Sequence, residues 1–81
     1  MIRFYFHLRA GADLITDQEG TECPDVEGAR VEAMAAARYI LADAIRFGVE
    51  SIPEAFVITD SEGREVGTLA LASVLPKQLQ H

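Results

Sequence analysis

Cysteine occurs once, at Cys23, so no disulfide can form within the chain. A small core without that staple depends on tight packing, a metal or association with another chain. Basic side chains are scarce: seven Lys and Arg stand against thirteen Asp and Glu, giving a net charge of −6 and an isoelectric point near 4.7. That is the wrong sign for tracking a phosphate backbone, and nucleic acid is excluded as an expected partner. Long apolar runs are also missing. The longest, around residues 33–45, is interrupted by Arg38 and Asp43 and is too short to cross a bilayer. The opening MIRFYFHLRAG lacks the unbroken apolar stretch and cleavage site of a secretory signal, so the expected setting is cytoplasmic, with no membrane partner.

What remains is the composition of an ordinary folded domain, 49% apolar and 25% charged. At 81 residues it is read as a single domain, residues 1–81, with a core over about 2–71 and a C-terminal tail over 72–81. A chain of this size buries only about 60% of its unfolded surface, which leaves a thin margin of stability.

The segment IRFYFHLR alternates, with Ile2, Phe4, Phe6 and Leu8 on one side and Arg3, Tyr5, His7 and Arg9 on the other. This is the period of a half-buried strand. AGAD reads as a turn and LIT, residues 14–16, as a short returning strand. Two near-identical octapeptides follow the same chemistry: ITDQEGTE at 15–22 and ITDSEGRE at 58–65. In each, an Asp side chain can hold backbone amides two residues on, and a Gly arrives where φ turns positive. Both are expected to reverse the chain, the second as a three-residue hairpin loop with a glycine bulge.

Between them, PDVEGARVEAMAAARYILADAIRFG predicts one helix over residues 25–47, roughly 34 Å long. Pro24 and Asp25 mark its start, Arg46 suits its negative end and Gly48 is placed to cap it. Val26, Ala29, Ala33, Ala37, Ile40, Leu41 and Ala44 form its apolar stripe, with Met34 and Ile45 at the edge. Gly28 reads as a local weakness of about 1 kcal/mol relative to alanine. Pro53 opens a third strand, AFVIT, and REVGTLAL supplies a fourth. The predicted fold is α+β: ββαββ, a four-stranded, mainly antiparallel sheet with one long helix packed on one face. The tail SVLPKQLQH has no clear period and is expected as loop or frayed end.

On the strength of FYFHLRAG, DQEGTECPDVEGAR and FVITDSEGREV, the chain resembles a family of short bacterial proteins known only as a domain of unknown function. The pattern is an aromatic strand ending in histidine, an acidic turn, a Pro-Asp helix start and a closing hairpin, over residues 2 to about 71. The resemblance implies a compact stand-alone domain in bacterial cytoplasm and carries no activity with it.

The candidate ligand- or partner-binding residues are Arg3, Tyr5, His7 and Arg9, one face of the opening strand. An imidazole among two guanidiniums and a phenol suits a small anion. The plainer reading of His7 is a strand residue bonded to a neighbour such as Asp17. Cys23 at a helix start is a candidate nucleophile or, more simply, a buried small residue. The carboxylates of the two octapeptides lack the spacing of a calcium loop, and no zinc spacing, phosphate-binding glycine loop or nucleophile motif occurs. Accordingly no catalytic residue, metal or cofactor is assigned. AFVI offers apolar groups on both faces of its strand, so the sheet's second face, with Tyr5 and Leu69, is expected to carry an apolar contact surface. The function expected is a non-enzymatic binding or regulatory module that associates as a homodimer or with a small protein partner. The alternative is a small-anion or metabolite-binding domain, enzymatic or not.

Overall fold

Alternation over the first segment makes it a strand, β1 (Ile2–Ala10), with Phe4 buried and Phe6 and Leu8 half-buried on one face. A computed structural model describes residues 1–79 and sets β1 inside an antiparallel sheet. β2 (Asp13–Ile15) returns along the C-terminal half of β1, with Leu8 opposite Ile15. β3 (Thr21–Cys23) pairs with the N-terminal half, with Phe4 opposite Thr21. On the other side of β1 lies β4 (Ala55–Thr59), and beyond it β5 (Glu65–Ala70). The α+β class is as predicted, with five strands in place of four.

The fifth strand corrects the reading of the first octapeptide. β2 and β3 both run antiparallel to β1, so the chain keeps its direction through residues 15–22 and bows outward at 16–20. The same Asp-and-Gly chemistry serves a loop leaving an edge and a turn reversing a chain, and TEC is too short to show a period. The second octapeptide does reverse the chain. Asp60 N–H reaches the Arg64 carbonyl at 2.9 Å, the Asp60 carboxylate takes the Glu62 and Arg64 amides, and Gly63 has φ 83°.

The helix, α1 (Val26–Phe47), starts where Asp25 accepts the Gly28 N–H at 2.7 Å and stops at Gly48 in the left-handed region. Ala29, Ala33, Ala37 and Leu41 are buried, and the three methyl-sized residues let the helix lie close to Phe4, Phe56, Ile58 and Leu69. Gly28 is no weakness. A Cβ there would stand 2.9 Å from Pro24 Cδ, so glycine makes room for the proline ring folded over the first turn.

Leu69 is paired with Phe56, and cross-strand partners share a face, so Leu69 belongs to the core under the helix and not to the second face. The register that decides this includes an extra residue, Val66, between the Ile58–Gly67 and Thr59–Glu65 pairs. The tail carries regular turns where loop or frayed end was expected: a short 3-10 helix, Leu71–Val74, begins at fully buried Leu71, the last residue of the predicted core, packs against α1 and precedes another at Lys77–Leu79. Gln80 and His81, the end of the predicted tail, lie outside the described residues.

Candidate functional site

Pairing of Tyr5 with Thr59, His7 with Val57 and Arg9 with Ala55 gathers the predicted residues on the sheet face away from α1. Ala55 and Val57 share that face, but both are buried, each beside a larger β1 partner, Arg9 and His7, so the expected apolar patch is not exposed there.

His7 is bonded through both ring nitrogens. Nδ1 accepts the Asp17 backbone N–H at 3.0 Å, and Nε2 lies 3.2 Å from Oγ1 of buried Thr59. A nitrogen that accepts an amide proton carries none itself, which puts the ring proton on Nε2, donating to Thr59. The ring also stacks on Tyr5, with centroids 6.4 Å apart.

The Asp17 carboxylate completes the arrangement. Successive odd or even amides of a strand point to the same edge, so Phe4, Phe6 and Leu8 all face β2 and β3. Phe6 falls in the gap between those strands, and Asp17 Oδ2 takes its N–H at 3.2 Å. Oδ1 takes the amides of Glu19 and Gly20, each at 3.2 Å. Burial alone would push this carboxyl up, but the three amide donors hold it below the usual carboxylate value.

Arg3 is committed to the same loop. It donates to the Glu19 carbonyl at 2.7 Å and lies 3.6 Å from the Glu22 carboxylate. Gly20, φ 74°, sits so close to β1 that a Cβ would come within 2.9 Å of both Arg3 Cγ and the Phe4 carbonyl oxygen. Arg9 differs: among the described residues its guanidinium has no hydrogen-bond or ion-pair partner. Two of the four predicted residues, Arg3 and His7, therefore pin the 16–20 loop, Tyr5 stacks on His7, and Arg9 is left free. Cys23 is buried, its thiol pushed up by desolvation and then by Glu32 and Asp25, so it has the character of a core residue and not of a nucleophile.

The apolar surface that sequence reasoning missed lies elsewhere. A 22-residue helix is about 33 Å long, nearly twice the five residues of β4 at about 17 Å, though close to the nine residues of β1 at about 30 Å. The last turn of α1 lies beyond its buried residues, which end at Leu41. Ile45 and Phe47 are 70% and 69% exposed there, with Val49 and Leu79 also open to solvent. Ala44 lies between two shallow grooves, one beside Phe47 and the other floored by Leu41, Val49 and Leu75 beside Ile45. Ile45, Phe47 and Val49, large apolar residues crowded at the predicted helix end, are the signal that would have found this surface.

A one-helix α+β module with a histidine-pinned edge loop and one apolar helix end is the class that fold and site define. Residues 3–72 match the family described as a domain of unknown function (DUF6894), and the chain belongs to that family. No curated protein and no solved structure matches the chain. No helix among the described residues is long and apolar enough to cross a membrane.

Proposed function

We propose that the protein is a small non-enzymatic binding module that works by associating with protein, in the first place with itself. The observation that carries this reading is the end of α1, where large apolar side chains stand open together, while most of the polar strand face is spent on holding the fold. Exposed apolar patches of a few hundred Å² on a small domain usually mark a contact surface. A reducing cytoplasm, as the bacterial resemblance implies, is in keeping with a chain whose one thiol is unpaired. The test is the molar mass in solution, by light scattering on a sizing column across a concentration series. Mass above the 8.8 kDa of one chain supports the reading. A monomer at every concentration sinks its self-association.

The anion-binding reading retains one free cation, Arg9, and loses the cluster that motivated it, since Arg3 and His7 already have partners within the chain. The geometry favours the interaction module.

A further inference from the structure

We propose that the bond between His7 and Asp17 is a pH-sensitive latch: a second proton on the His7 ring releases the start of the 16–20 loop while the ring stays anchored to β4.

The two ring nitrogens differ in what they tolerate. Nε2 carries a proton toward Thr59 Oγ1 at 3.2 Å, and it carries one in the imidazolium as well, so that bond persists when the ring is charged. Nδ1 accepts the Asp17 backbone N–H at 3.0 Å, which only a bare nitrogen can do. A proton arriving there sets two donors against each other. Thr59 is buried in β4, whereas Asp17 lies in a loop between two three-residue strands, so it is the loop that gives way. Imidazole is also the side chain whose charge ordinarily changes between about pH 5 and 8.

The surroundings determine whether another group can accept the new N–H. On β1 itself, Tyr5 stacks on the ring and Arg9 is a like charge to an imidazolium. From β4, Val57 and Thr59 share the face, and neither titrates. Beyond Thr59 stands Glu65 of β5, on the Nε2 side, its carboxylate accepting the Thr68 hydroxyl at 3.0 Å. α1 packs against the other face of the sheet. The loop brings the Asp17 carboxylate, which is already committed to the amides of Phe6, Glu19 and Gly20. Turning toward the imidazolium surrenders amides that shape the loop, and staying leaves the new N–H facing a donor. Both undo the loop as it is built. Arg3 keeps its bond to the Glu19 carbonyl in either state, so the opening is local. What it uncovers is the Phe6 N–H, in the gap between β2 and β3.

Nuclear magnetic resonance on the full isotope-labelled chain, from about pH 7.5 to about pH 5, tests the latch across the range in which imidazoles titrate. At the upper end the ring is expected to carry its proton on Nε2 alone. As it gains the second, the amide signals of Phe6, Asp17, Glu19 and Gly20 should shift with the ring's own midpoint. Exchange protection at Phe6 and Asp17 should fall at least about tenfold, the worth of one hydrogen bond, with α1 unchanged. His7→Gln keeps an acceptor oxygen but cannot be charged, and its loop signals should stay flat. Asp17→Asn keeps the backbone N–H and removes the loop carboxylate, and the step should persist. If His7→Gln does not fold, the shared midpoint of ring and loop and its persistence in Asp17→Asn still decide. The latch is overturned by a ring protonated on Nδ1 at the upper pH, by a ring that takes no second proton, by loop amides that ignore its titration, or by the same step in His7→Gln. None of these readings depends on the association proposed above.

Discussion

His7 and Asp17 hold one another through unlike atoms. The imidazole Nδ1 accepts the Asp17 backbone N–H at 3.0 Å, while the Asp17 carboxylate turns away to the amides of Phe6, Glu19 and Gly20. A catalytic His-Asp pair would join ring to carboxylate and leave the other ring nitrogen facing a substrate. Here that nitrogen meets Thr59, and the pair is a clasp between the centre of the sheet and its edge loop.

Replacing His7 removes both ends of the clasp. His7→Ala is expected to lower stability by about 1–3 kcal/mol, because buried Thr59 and the Asp17 amide each lose a partner. Urea denaturation measures the loss, and hydrogen exchange locates it: the amides of Phe6 and Asp17 should exchange faster, while those of α1 keep their relative protection.

Asp17 and Asp60 both have carboxyls held below the ordinary value of 3.8, Asp60 chiefly by the Arg64 amide. A depressed folded-state value gives stability that is complete above the unfolded value and drains away as pH falls through the folded one. Unfolding midpoints should therefore decline below about pH 4, and Asp17→Asn should flatten that decline. An unchanged slope in Asp17→Asn would remove Asp17 from the acid response.

Gly20 and Gly63 occupy matching places in the two octapeptides, both at positive φ, but only Gly20 lies against other atoms. Gly63→Ala should cost about 1–2 kcal/mol, the ordinary penalty of the left-handed region. Gly20→Ala should cost more, since its Cβ would press on the Phe4 carbonyl oxygen at 2.9 Å, a backbone atom that cannot swing aside. Thermal melts of the two variants side by side decide the order.

Much of this fold is legible in the residues. The helix bounds differ by one residue at the start, because Asp25 and Gly48 are caps whose chemistry is local. The second octapeptide is likewise a local object, closed by its own Asp60 and Arg64. What escaped was non-local. The partner of Phe6 lies eleven residues on, and the face of Leu69 depends on the bulge at Val66. Neither leaves a periodic trace. The strand face of Arg3, Tyr5, His7 and Arg9 was grouped correctly by alternation, but alternation says nothing about which of its groups the fold consumes.

Cys23 supplies a test of that last point. A buried thiol with a raised value should react with a chromogenic disulfide reagent only as the chain opens. The labelling rate in the native state should track stability across the variants above, and fast labelling of the folded protein would contradict a core position.

The bowed loop at 16–20 has a consequence for how sheets of this kind add to one another. Strands recruit neighbours along an uninterrupted ladder of free amides and carbonyls. On the β1 side the outer ladder is split into two three-residue fragments with a carboxylate capping the gap, a poor template for any incoming strand. The β5 side offers one six-residue strand, itself interrupted by the bulge at Val66. Stacking by edges is thus confined to one side of each molecule, and growth into a fibril is stopped at the first step.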